Sequence, residues 1–311
     1  RGPASVLYGS NAMGGVINIV TRKQYEYGIK NNLRVGYGSY NTLLTEASNR
    51  IRKGKFNSII TASYNRTDGH RSNMDFEQFG GYAKVEYDFS HIWKAFADVN
   101  ITHFNATNPG TVSIPMLDND SHITRGMTSF SIENNYNLTS GAFKFFYNWG
   151  NHEINDGHRE GQPPREYLYN SDDLMMGVTW YQSTSFFEGN LITAGIDFQH
   201  FGGKAWNQFP DRRADLANKT ENEIAGYLSL RQSLSNRLTL DVGIRADHHS
   251  QTGTEWVPQG GVAWLLPRSA ELKAMVSKGF RNPTIREMFM FGTRNPDLRP
   301  EKLMNYEFSY S

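Results

Sequence analysis

Any chemistry in this chain must come from oxygen, nitrogen and aromatic groups, because its 311 residues include no cysteine. Disulfides, thiol catalysis and thiolate metal sites are thereby excluded. Two polar stretches gather arginines among aromatic rings. Residues 157–171 hold His158, Arg159, Arg165, Tyr167 and Tyr169, and residues 204–220 hold Trp206, Phe209, Arg212 and Arg213. Ring faces attract cations, and guanidinium groups pair bidentately with carboxylates. Such groups suit an anionic ligand of catecholate or carboxylate type. Ordinary loop packing would use the same residues.

Other constellations are weaker. His152 and His158 flank Glu153 and its neighbours at a spacing of six. One such spacing is poor evidence for a metal site, and packing explains it better. His200, Asp247, His248 and His249 fall near strand ends. They mimic the Asp/His or Ser/His rim that an enzyme barrel, a phospholipase or protease, would need. No G-x-x-x-x-G-K-[ST] or G-x-G-x-x-G run occurs, so the glycines do not form a phosphate cradle. Net charge is +1, with 32 Lys+Arg against 31 Asp+Glu and no basic block. Nucleic acid therefore has no electrostatic footprint here.

The elements that would position these residues are strands. Leu238, Leu240, Val242, Ile244 and Ala246 alternate with Thr239, Asp241, Gly243 and Arg245. Period 2 places the two sets on opposite sheet faces. The same alternation predicts about fourteen strands, at 28–38, 41–53, 55–68, 79–90, 92–106, 124–138, 141–156, 172–184, 189–203, 221–234, 237–250, 256–266, 270–280 and 304–311. Many exceed the ~5–6 residues of a soluble strand and reach the ~9–11 that cross a bilayer.

Connections alternate in length. Short ones carry turn chemistry at Lys53-Gly54-Lys55, Ser90-His91, Thr139-Ser140-Gly141, Leu234-Ser235-Asn236 and Pro267-Arg268. Between them fall longer polar stretches at 69–78, 107–123, 157–171, 204–220, 251–255 and 281–303; the tight 38–41 connection departs from this pattern. Short periplasmic turns and long outer loops mark an outer-membrane barrel. The polar face carries Lys94, Asp98, Asp197, Asp241, Arg245 and Lys273. A dry core would make these charges costly, whereas a wide lumen keeps them wet.

Composition alone does not decide between a membrane barrel and a soluble all-β protein with large aromatic cross-strand pairs. Hydrophobic residues make up 38% and charged residues 20%, with a mean hydropathy of −0.59. No run of 18 apolar residues exists to form a transmembrane helix. A barrel strand shows lipid only one apolar face, so its hydropathy averages out. The 16 Tyr and 19 Phe would furnish aromatic girdles.

Two motifs carry a resemblance. Residues 1 to 23 read R-G-P-A-S-V-L-Y-G-S-N-A-M-G-G-V-I-N-I-V-T-R-K, a glycine-punctuated loop followed by an expected short strand from Val16 to Val20. This run resembles the C-terminal end of the plug domain of TonB-dependent outer-membrane receptors. Near the other end, Phe280-Arg281-Asn282-Pro283, then Asn295-Pro296-Asp297-Leu298-Arg299-Pro300-Glu301, then Tyr306-Glu307 are similar to the F-R-x-P, N-P-x-L-x-P-E and Y-E series in the barrel of that family. The intervening residues match only in strand pattern.

The resemblance implies an all-β fold: a transmembrane up-and-down antiparallel barrel preceded by the last strand of a plug. Residues 1–24 would be plug and 25–311 barrel. The family's barrel has 22 strands, so about eight would follow Ser311, and most of the plug and the TonB box would precede Arg1. The implied activity is import of a scarce ligand without covalent chemistry, driven by TonB with ExbB–ExbD. It would take place in an outer membrane of lipid and lipopolysaccharide. No resident cofactor is implied; the cargo would be a small-molecule metal chelate, with a ferric siderophore expected first and cobalamin or haem as alternatives.

Haem receptors of the family often carry a histidine between the F-R-x-P and N-P-x-L motifs, and residues 284–294 contain none. Met288 and Met290 remain as soft ligands or packing groups. A glycan importer paired with a lipoprotein would tend to have a larger barrel and longer loops. The plug motif fits neither an enzyme barrel nor a passive porin. Family plug arginines pair with barrel glutamates, so Arg1 is expected to meet Glu287 or Glu307.

Overall fold

The computed structural model describes residues 5–10, 12–17, 26–290 and 294–311. Its body is one fourteen-stranded sheet in sequence order. The strands are β1 (Gly28–Gly38), β2 (Thr42–Lys53), β3 (Phe56–Thr67), β4 (Phe76–Asp88), β5 (Trp93–Thr107), β6 (Met116–Asn135), β7 (Thr139–Arg159), β8 (Leu168–Thr184), β9 (Asn190–Gln208), β10 (Arg213–Ser235), β11 (Leu238–His249), β12 (Gly253–Leu265), β13 (Glu271–Arg281) and β14 (Glu301–Tyr310). Each pairs antiparallel with the next. Among the described residues no ladder joins β14 to β1. The fourteen expected strands are all present.

Alternation sets the two faces. On β11, Leu240, Val242 and Ile244 are exposed, and Gly243, Arg245, Asp247 and His249 are buried. The register lays Val242 beside Leu230 and Ile244 beside Leu228, giving a continuous apolar outer surface. Next to the short connections an aromatic belt forms. Trp93 Nε1 donates to the Tyr136 hydroxyl at 3.1 Å, and Tyr87 meets Phe89 edge-on at 5.2 Å. Amphipathic rings of this kind settle at a bilayer interface.

One end of the sheet carries the tight connections 54–55, 89–92, 136–138, 185–189, 236–237 and 266–270; the other carries 39–41, 68–75, 108–115, 160–167, 209–212, 250–252 and 282–300. Several expected loops are instead largely strand. β6 begins at Met116, β7 runs to Arg159, β9 to Gln208, and β10 starts at Arg213. Within the supposed loops the ladders continue, for example Asn119 with Asp156 and Lys204 with Asn218. Backbone pairing needs no apolar face. Above the bilayer both faces are polar, so the alternation that reveals a strand disappears. Thr139, Ser140 and Gly141 likewise belong to β7, and 136–138 makes the turn.

Two short helices accompany the sheet. α1 (Ser5–Tyr8) packs on β10 to β13. α2 (Ile285–Phe289) lies in the 282–300 connection and opens with a capping box between Thr284 and Glu287. The expected Val16–Val20 strand is not seen at Val16 or Ile17, and Asn18 to Val20 lie outside the described residues.

Candidate functional site

α1 is anchored by packing and by a polar wall beneath it. Val6 is buried in a small cluster with Val257 of β12 and Phe280 of β13. That cluster forms where the β12–β13 ladder ends at Gln259 and Ser277. The adjoining Pro258 has no N–H to extend a ladder. After α1 the chain turns through Gly9 at φ +71°. A Cβ there would lie 2.9 Å from Arg245 Nη2, so the backbone rests almost on the guanidinium.

Arg245 organises the wall. Its Nη1 donates to Asp197 at 2.6 Å and its Nε to Asp247 at 2.9 Å, with the arginine and Asp247 almost wholly buried. Register explains the convergence. Asp197 on β9 faces Ala225 on β10, which faces Asp247 on β11. Two strands, β9 and β11, held in register by β10 between them, therefore present one carboxylate–guanidinium–carboxylate array to α1. Beside it, His249 Nε2 lies 3.2 Å from Glu221 Oε2, both buried. His249 Nδ1 accepts from the amides of Gln251 and Thr252, which leaves the ring proton on Nε2 facing Glu221.

The 282–300 connection closes onto this wall. The Asn282 amide donates to Ser10 Oγ at 3.0 Å, and its Nδ2 donates to Glu223 Oε2 at 3.0 Å. Arg281 holds the base of the connection. It donates to both carboxylate oxygens of Glu287 and both of Glu301, at 3.0 to 3.3 Å. The Glu287 carboxyl is pulled down to about 2, first by Arg281 and then by the Thr284 amide and hydroxyl.

Between the connection, α1 and the wall of β7 to β11 lies a cavity of about 910 Å³. Tyr8 and Ser10 line one side, His152, Tyr169, Asp172, Asp173, Phe201 and Lys204 the opposite wall, and Ile285, Arg286 and Met290 the roof. Its volume lies at the upper end of the ~300–1,000 Å³ usual for small-molecule sites. A chelate-sized body fits it. Its polar wall is itself networked: Arg125 Nη1 bonds Asp173 at 2.7 Å and His152 Nε2 at 3.2 Å, and Lys204 bonds Asp172 at 3.0 Å.

A family model described as TonB dependent receptor-like, beta-barrel matches residues 116–311. The chain belongs to the TonB-dependent receptor family. Among curated relatives, the iron-regulated outer membrane virulence protein of Vibrio cholerae serotype O1 is 23% identical over 99% of this chain and 49% of its own length. The vitamin B12 transporter BtuB of Vibrio vulnificus is 22% identical over 97% of this chain and 49% of its own. The chain thus spans about half the length of these relatives. Among solved structures, P. aeruginosa FpvA in a complex with a pyoverdine and iron superposes with a TM-score of 0.78 at 15% identity, covering 100% of this chain and 49% of that one.

The TonB-dependent receptor fold places this chain in the outer membrane as an integral β-barrel, in a family of receptors and transporters. Within that frame the residues expected to contact ligand divide. Tyr169 lines the cavity. Tyr167, Trp206, Phe209, Arg212 and Arg213 instead pack with one another at the outer rim. Arg213 lies 4.1 Å from the Trp206 ring, Arg212 lies 4.2 Å from Phe209, and Tyr167 packs on Phe209 at 5.3 Å. Arg213 also pairs with Asp215. Arg159 ends β7, Arg165 Nε donates to the Gly157 carbonyl, and His158 sits 3.6 Å from Asp118.

Arg1 lies outside the described residues. Glu287 is engaged by Arg281 and Thr284, and Glu307 sits on β14 opposite Met275. His152 turns inward while Glu153, next along the strand, turns the other way. No metal-holding cluster is present among the described residues. Asp247 and His249 face the lumen; His200 and His248 face outward, bonded to Asn222 and Thr254. The enzyme-like grouping is therefore split across the sheet. In the sequence Arg245 stands out only as a polar-face charge and Asn282 only as a motif residue, and nothing marks Glu223. Only the strand register brings them together.

Proposed function

We propose that the protein containing this chain imports a scarce metal chelate, a ferric siderophore, across the outer membrane, using energy delivered by TonB with ExbB–ExbD through a TonB box elsewhere in the protein. The cavity enclosed by Tyr8 and Ser10 of the N-terminal segment and the barrel wall carries this reading. A ligand there touches the segment that must move and the wall that stays. Binding can then bias the segment between docked and released states. In this reading residues 1–24 end the plug, residues 25–311 form barrel, and Arg1 supplies a further plug–barrel contact to Glu307 or Glu287. The outer strands meet lipid, and the rim meets lipopolysaccharide. No covalent step is required, so the protein is not an enzyme.

Cobalamin is the second reading, favoured by the similarity to a vitamin B12 transporter. Growth of a receptor-deficient strain carrying the intact gene, on sole iron or cobalamin sources with and without TonB, separates the readings. TonB-dependent rescue by a ferric chelate supports the first, and rescue by cobalamin alone replaces it with the second. TonB-independent rescue by every source would indicate a passive pore and overturn both.

A further inference from the structure

We infer that the cavity selects a neutral or cationic chelate and rejects a polyanionic one; this rests on the cavity being the ligand site. The charges that line it are Asp156, Asp172, Asp173 and Glu223 against Lys204 and Arg286. Asn282 Nδ2 donates to the Glu223 carboxylate and holds it on the wall. Three aspartates then face two lining cations. Arg125 adds a third cation from β6, but it is bonded to Asp173. Lys204 is bonded to Asp172. Among the described residues the wall therefore holds no surplus of positive charge.

The rest of the surface is apolar or neutral. Ile154, Leu174, Met175, Phe201, Ile285 and Met290 supply most of the greasy lining. His249, buried and with its Nε2 proton turned to Glu221, brings no anion-binding donor toward the cavity. A trianionic chelate entering this space would lose its water and meet carboxylates. Burying charge without a partner is costly, and like charges across an interface add to the cost. A neutral chelate loses little water and gains apolar contact, and a cationic one also meets Asp156. The arginines that would attract an anion are at the rim, where Arg212 lies over Phe209, and Arg213 lies over Trp206 and pairs with Asp215. Rim charge can steer arrival, but the cavity sets what stays.

The test is equilibrium binding of four probes to the purified full-length receptor. They are a trianionic ferric tris-catecholate, a neutral ferric tris-hydroxamate, a monocationic ferric tris-hydroxamate with a free ammonium group, and cyanocobalamin. The neutral or cationic ferric probes, or cyanocobalamin, should bind at least about tenfold tighter than the trianion, a preference that weakens as salt screens the aspartates. Replacing Asp156 and Asp172 by Asn should shift preference about tenfold toward the trianion. The wild-type ranking stands without that variant, should it fail to fold. Tightest binding of the trianion would overturn the charge class and leave the receptor reading standing. Binding of none of the probes would overturn the assignment of the cavity as the ligand site.

Discussion

Asn282 and Ser10 stand 272 positions apart in sequence, yet the Asn282 amide donates to Ser10 Oγ at 3.0 Å. That bond ties the N-terminal segment to the connection that roofs the cavity. The Asn282 side chain extends the tie to Glu223 on the wall. Replacing Asn282 by Ala should remove the amide donor from the buried Glu223 and loosen both. Entry of a large antibiotic into cells carrying the intact gene measures this, and N282A should raise it severalfold. Gly9→Ala should act the same way, since it forces a side chain into positive φ and against Arg245. Unchanged entry in both variants would mean that these contacts do not seat the segment.

Arg245→Met tests the wall. It leaves Asp197 and Asp247 facing each other without their cation. Removing one partner of a buried ion pair costs about 3–5 kcal/mol. Arg231→Met is the control, because the Arg231–Asp241 pair is open to solvent and such pairs contribute about 0–1 kcal/mol. Urea unfolding of the receptor in detergent should show a large drop in midpoint for the first variant and almost none for the second.

Acid should loosen the roof. The ordinary carboxyl value of 4.5 for Glu287 falls to about 2 in the folded chain. A depressed carboxyl stabilises the fold fully above its ordinary value, and the contribution fades as pH falls toward the folded value. Between pH 5 and pH 2, hydrogen exchange across 282–300, corrected for its intrinsic rate, should therefore accelerate. Glu287→Gln should exchange fast throughout and lose the pH dependence. A wild-type segment indifferent to pH would show that the Arg281–Glu287 pair does not hold the roof.

Ligand affinity should follow the cavity and not the rim. Tyr169→Ala and Phe201→Ala each remove a ring from the lining and should weaken binding by about tenfold or more, as buried aromatic anchors do. Trp206→Ala should change equilibrium binding little, since Trp206 packs under Arg213 outside the cavity. Titration of the three variants with whichever probe binds wild type decides the matter. A larger loss at Trp206 would move the site to the rim.

Strand number and order were legible because the sequence alternates wherever one face meets lipid. The alternation delimits β1 to the residue and β11 to within one residue at each end. The reading failed where the physical cause of alternation stops. Above the bilayer β9 and β10 continue past Lys204 and before Thr220 with polar residues on both faces, and the sequence there looks like loop. The site was less legible for a related reason. Arg245 and Asp197 are 48 residues apart, and only the pairing through β10 makes them neighbours. Arginine and aromatic content points to Arg213 and Trp206, which bind each other; it does not show that they stand outside the cavity lining.

β10 has 23 residues, and at ~3.3 Å per residue it is roughly 75 Å long, far more than a bilayer needs. The surface this protein shows to its surroundings is consequently more woven than looped. A phage or antibody approaching it meets backbone already pledged to two neighbours. An insertion that would be absorbed by a free loop would, within β6 to β10, shift a ladder on each side, so along those strands escape from such an attacker comes by exchanging side chains in place, and insertions are left to the tips between strands, such as 160–167 and 209–212.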